Sequence, residues 1–111
     1  MSVRPPQSLH RPAAASGPLA VLEYELMAER ADALGRCGQK VEAALAALER
    51  ERGAPVPDPA RTEALRDAAA DVVWAFFIQR EICGLRNSRD AIARYNIPKE
   101  VIARLGVVRR P

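Results

Sequence analysis

The sequence has little with which to do chemistry. It carries one histidine, His10, and two cysteines, Cys37 and Cys83, with no CxxC pair. That excludes the usual zinc spacings. A di-iron site in a helical bundle draws on Glu-x-x-His pairs, and His10 lies in a proline-broken stretch outside any helical pattern. No metal or other cofactor is expected. Aromatics make up 5% of the chain, so a helical core must be built from Ala, Leu and Val. Lysine occurs only at positions 40 and 99. The longest apolar run, residues 72–78, is far short of the roughly 20 residues needed to span a bilayer. No secretory h-region is visible, and the reading is a reduced, cytoplasmic protein with no membrane partner.

What is present is 111 residues with a hydrophobic fraction of 49% and a formal charge of +3, the size of one domain. The charge is uneven. Residues 1–18 carry +2, residues 19–85 carry −4 and residues 86–111 carry +5. A basic C-terminal part on an acidic body suits an acidic partner, although a solvated surface has the same composition.

The pattern divides the chain into a flexible arm over residues 1–17, a helical domain over 18–106 and a basic tail over 107–111. The arm follows from Pro5, Pro6 and Pro12 with Ser and Ala between them. Pro18 suits the first helical position. A helix then runs to Arg52, where Gly53 offers a left-handed stop. Its apolar side holds Leu19, Leu26, Met27, Leu34, Cys37, Val41, Leu45 and Leu48. At ~1.5 Å per residue this helix is about 50 Å long and needs a partner. Pro55 and Pro57 mark a stiff connector. Asp58 and Pro59 form an N-cap and first turn, and the second helix ends near Cys83 and Gly84. Asn87 and Ser88 cap a short third helix, and Pro98 opens a fourth that Gly106 closes.

A short connector implies an antiparallel hairpin, with paired residue numbers summing to about 111 if both helices rise equally. Gly38 then faces the part of the second helix around Val72 and Phe76. Gly35 and Gly38 read as a notch admitting Phe76 or its neighbours, or else as a tolerated kink. The second helix carries Leu65, Ala68, Ala69, Val72, Phe76 and Cys83 on one stripe, with Trp74, Phe77 and Ile78 pointing elsewhere. A helix apolar all round must be covered on more than one side. Glu23, Arg30 and Gln79 fall on the buried stripes, with Glu81 beside them. They are expected to form a paired polar layer that fixes register. A ligand or catalytic site is the alternative, but no nucleophile or glycine-rich loop accompanies them.

Leu22-Glu23-Tyr24-Glu25, the run from Trp74 to Glu81, and the segments Ile97-Pro98-Lys99-Glu100-Val101 and Arg104-Leu105-Gly106 together resemble a family of short bacterial helical proteins known only as a domain of unknown function. The resemblance spans residues 18–106 and implies a bacterial origin and no particular activity. Residues 91–105 are also similar to a helix-turn-helix unit, but Asn96 stands where Gly is common in that turn and bulky Ile92 where a small residue is common. Glu100 lies in the would-be recognition helix, where it would repel phosphate.

The expected fold is all-α: a long antiparallel helical hairpin with two short C-terminal helices folded back on its open end. The short helices are too small to cover both that end and the second helix. A dimeric four-helix bundle is therefore expected, with Trp74, Phe77 and Ile78 at its interface. The function read from this is a non-enzymatic interaction or structural protein acting as a homodimer, with another protein as a further partner. The alternative is a nucleic-acid-binding regulator using residues 86–110; otherwise at most weak, sequence-independent binding is expected.

Overall fold

The computed structural model describes residues 17–107. The expected flexible arm with His10, and all of the basic tail beyond Val107, lie outside the described residues. Four helices are present among them: α1 (Pro18–Arg52), α2 (Pro59–Ile82), α3 (Ser88–Tyr95) and α4 (Lys99–Ile102). The chain divides into two units, residues 1–32 and 33–111.

In the first unit, the described residues are the opening half of α1. Leu19, Leu22, Leu26 and Met27 are 67%, 54%, 49% and 66% exposed. The helix is favoured by its Ala, Leu, Glu and Met content and by Pro18 in the first turn.

In the second unit, α1 packs on α2. Val41 and Leu48 from α1 meet Ala69, Ala70, Val73 and Phe76 from α2, and Ala91, Ile97 and Val101 complete the core. The hairpin is closed at its turn by Glu51. Its carboxylate accepts a hydrogen bond from the Asp58 backbone N–H at 2.8 Å and pairs with Arg61 Nε at 3.0 Å. Asp58 caps α2 as expected, accepting from Ala60 N–H at 3.0 Å. Gly53 is not in the left-handed region, which among the described glycines holds only Gly84 and Gly106. The end of α1 is fixed instead by Glu51 and by Pro55, which disfavours helical geometry at the residue before it.

Two later helix ends repeat one device. Leu85 N–H bonds the Arg80 carbonyl at 2.8 Å and Gly84 N–H the Glu81 carbonyl at 2.9 Å, with Gly84 at φ 84°. After α3, Ile97 N–H bonds the Ile92 carbonyl at 3.0 Å and Asn96 N–H the Ala93 carbonyl at 3.3 Å, with Asn96 at φ 54°. Both are Schellman ends, which need a left-handed residue and tolerate Gly or Asn there.

Three expectations need correction. The centre of the buried face of α2 is Val73, which is fully buried, whereas Val72 and Leu65 are half-buried and Ala68 is exposed. The face is turned by about one residue because α4 as well as α1 packs against it. The notch is formed by Gly38 alone. A Cβ there would lie 2.6 Å from Tyr95 Oη and 3.8 Å from Phe76 Cε1, while one at Gly35 would meet nothing within 4 Å. Finally, α4 does not close over the open end of the hairpin. It lies towards the connector, where Glu100 pairs with Arg52 of α1 and with Arg66 of α2.

Candidate interaction site

The residues around α4 make a continuous set of ion pairs. Arg104 Nη1 donates to Glu63 Oε2 and to Asp67 Oδ1, each at 2.6 Å. Arg66 Nη1 donates to Glu63 Oε1 at 3.2 Å, and its Nε lies 3.5 Å from Glu100 Oε2. Glu100 also pairs with Arg52. The hydrogen bond from Arg104 holds the Glu63 carboxyl below its ordinary value, and the same bond raises the Arg104 guanidinium. A single-turn helix has almost no stability of its own. These pairs, with Val101 buried beneath them, are what keep α4 in place. Their sequence signal is weak: Glu63 and Asp67 are an ordinary acidic i,i+4 pair, and Arg104 is distant in the chain.

On another side of α2 lies a shallow cleft of about 220 Å³. It is lined by Trp74, Phe77 and Ile78, the three residues expected from sequence to need a cover. Phe77 is half-buried against the core. Trp74 is half-covered: the Trp74 ring packs on Gly106, where a Cβ would sit 3.5 Å from its Cη2 atom. Gly106 also has φ 74°, so both its conformation and this approach favour glycine. Arg80 and Glu81 of α2, and Leu85, Arg86 and Ser88 beyond its Schellman end, also line it. Arg80 is held in place. Its Nη2 donates to the Asn87 carbonyl at 3.0 Å, and its guanidinium lies 5.8 Å from the centre of the Phe76 ring, within cation–π range.

The expected polar layer is not a buried one. Glu23 and Arg30 are exposed residues of the first unit. Gln79 is half-buried, and Glu81 is exposed and lines the cleft. Among the described residues no polar or charged residue is buried. Cys37 and Cys83 are half-buried and not joined in a disulfide. Among the described residues there is no group of three His, Cys, Asp or Glu side chains placed to hold a metal ion, and no helix is long and apolar enough to cross a membrane.

An all-helical chain with these segments matches one family model over residues 1–111, a family of unknown function. The chain belongs to DUF6665. The match extends beyond the 18–106 span of the resemblance to take in both termini. No curated protein and no solved structure matches the chain. DUF6665 membership assigns the chain no activity.

Proposed function

We propose that the chain is a non-enzymatic helical interaction protein of the bacterial cytoplasm that works as a homodimer, with Trp74, Phe77 and Ile78 in or beside the interface. The observation that carries this reading is a stripe of exposed large apolar side chains along α2 and just past its end. Trp74, Ile78, Ile82 and Leu85 are 47%, 45%, 51% and 44% exposed, at steps of three and four residues. Single exposed apolar residues need no explanation, but a contiguous row of them marks an interaction surface. Each would contribute about 1.5–3 kcal/mol on full burial, and about half of that remains to be gained here. A second hairpin related by a two-fold axis covers such a stripe and yields a four-helix bundle.

The nucleic-acid reading has less support. The candidate recognition helix, α4, is four residues long, and its Glu100 is engaged by Arg52 and Arg66. Arg94 faces Asp90 at 3.9 Å, and Arg104 is held by Glu63 and Asp67.

The test is mass by light scattering at tens of micromolar. The wild type is expected at twice the chain mass, and Trp74→Glu with Ile78→Glu at the chain mass, with helical circular dichroism unchanged. A monomeric wild type refutes the dimer.

A further inference from the structure

We propose that residues 18–32 are a docking face for a basic amphipathic helix of another protein. The face uses none of the α2 cleft residues and does not depend on the homodimer reading. The buried residues of α1 are Gly38, Val41 and Leu48, all in the second unit. Every residue from 21 to 32 is exposed. Leu19, Leu22 and Leu26 are 67%, 54% and 49% exposed. They recur at steps of three and four residues, which sets them in one line along the helix. Contiguous exposed apolar side chains of this kind mark an interaction face. The face is already helical, because α1 continues unbroken to Arg52 and elongating a helix costs far less than starting one.

The charges that border this line choose the occupant. In a seven-residue repeat with Leu19, Leu22 and Leu26 at its first and fourth positions, Glu23 and Arg30 take the fifth, and Glu25 and Asp32 the seventh. Those two positions flank a helix–helix contact and select the partner. Three of the four residues there are carboxylates, and Glu29 stands in the line itself at the next fourth position. Glu23, Glu25, Glu29 and Asp32 against Arg30 give the segment a net charge of −3. A partner helix with an apolar stripe at the same spacing and Lys or Arg beside it meets the leucines and the carboxylates together.

A second copy of the same segment is a poor match. Paired antiparallel with the leucines overlapping, Glu23 and Glu25 each stand beside their own counterparts. Paired parallel and in register, Glu29 stands against its counterpart within the seam, and only Glu25 finds an opposite charge, in Arg30. Like charges set together at such positions disfavour the pairing. A lipid or nucleic-acid surface presents phosphate, which these carboxylates repel. A helix bearing Lys or Arg opposite the carboxylates, and Glu opposite Arg30, satisfies every charge along the face.

The experiment follows the fluorescence anisotropy of labelled synthetic helical peptides added to the full-length chain. One peptide is a seven-residue repeat with Leu at the first and fourth positions and Lys at the fifth and seventh. A second has Glu in place of Lys, and a third keeps the lysines but scrambles the leucine spacing. The first is expected to bind, and the other two at least about tenfold more weakly. Glu23→Lys with Glu25→Lys should turn the preference towards the Glu peptide. Leu22→Ser with Leu26→Ser should remove binding of the first peptide while helical circular dichroism stays unchanged. Trp74→Glu with Ile78→Glu should leave that binding intact. No binding, equal binding of the three peptides, or binding kept without Leu22 and Leu26 overturns the proposal and leaves the homodimer reading standing. Binding lost in the Trp74 and Ile78 variant places the peptide in the cleft and overturns it too. A wild-type dimer that becomes monomeric with Leu22→Ser and Leu26→Ser makes a second copy the occupant, which likewise overturns it.

Discussion

Gly35 and Gly38 lie one turn apart on α1 and differ sharply in what surrounds them, so a matched pair of substitutions isolates packing from propensity. Replacing either with Leu removes the same penalty of glycine in a helix interior, just under ~1 kcal/mol. At Gly35 nothing lies within 4 Å of the new Cβ, so Gly35→Leu should raise stability by about that amount, or roughly 4–8 °C in Tm for a domain of this size. At Gly38 the new Cβ would stand 2.6 Å from Tyr95 Oη. The Tyr95 ring has little room to withdraw, because it packs edge-on against Phe76 at 5.1 Å between ring centres, and Phe76 is 3% exposed. Overpacking of this kind costs about 1–3 kcal/mol. Since the propensity gain cancels between the two variants, Gly38→Leu should be less stable than Gly35→Leu by about 1–3 kcal/mol.

The assay is thermal and urea unfolding followed by far-ultraviolet circular dichroism. A second comparison identifies the clashing atom. In the smaller Gly38→Ala variant, adding Tyr95→Phe removes the hydroxyl nearest the new methyl, so the double variant should be more stable than the sum of the singles. If Gly35→Leu and Gly38→Leu unfold within ~0.5 kcal/mol of each other, the notch is not a close contact. The account of how α1, α2 and α3 meet is then wrong.

Acid should loosen α4. The Glu63 carboxyl is held below its ordinary value of 4.5, so its contribution is complete above that pH and is lost as pH falls through the lower folded value. Arg104→Gln should flatten this dependence in melts run from neutral pH to below pH 4 (about the unperturbed carboxylate range); an unchanged profile would show that the pair does not hold. Cys37 and Cys83 should react slowly with a thiol reagent in the folded protein, and rapid labelling of both without denaturant would place them on open surface. At ~150 mM salt the chain should bind duplex DNA weakly and without sequence preference, and tight retention of a defined duplex in a gel-shift assay would favour the nucleic-acid reading instead.

Helix ends were legible wherever their chemistry is local. Asp58 with Pro59, Gly84, and Asn87 with Ser88 each act within a few residues, and the sequence places them where the helices begin or end. Gly53 misled because the end of α1 is fixed by residues across the turn, Asp58 and Arg61 on Glu51, rather than by its own φ. The buried face of α2 was read one residue off for a similar reason. Its true centre line runs through Thr62, Arg66, Ala69 and Ala70, Val73, Phe76 and Arg80. Alanine carries little periodic signal, and an arginine adds none to a hydrophobic pattern. Both arginines lie against the core face because their charged ends have partners: Arg66 on Glu63 and Glu100, Arg80 on the Asn87 carbonyl and the Phe76 ring. An arginine can line a packed surface with its stem while its head reaches a carboxylate or a carbonyl, and hydrophobic periodicity alone misses such a position.

The same arginines explain why the aromatic cleft stays open. The path of the chain after α2 is set by the Schellman end at Gly84 and by Arg80 gripping the Asn87 carbonyl, which together direct α3 towards Gly38 and Phe76. From there Asn96 reverses the chain, and the Glu100 and Arg104 pairs draw α4 towards Arg52 and Glu63 at the connector. Gly106, just past α4, comes back to the Trp74 ring. The C-terminal helices are thereby committed to the core face and the connector, and Ile78, Ile82 and Leu85 are left with exposures of 44–51%. Freeing α4 to cover them would break the Arg52, Arg66 and Arg104 pairs and expose Val101, which is fully buried. Those part-exposed pairs each contribute little, but re-exposing Val101 would cost about 1.5–3 kcal/mol, as much as burying one of these apolar side chains would gain. Closure of the cleft by α4 is therefore opposed by the same contacts that fold the C-terminal part of the second unit.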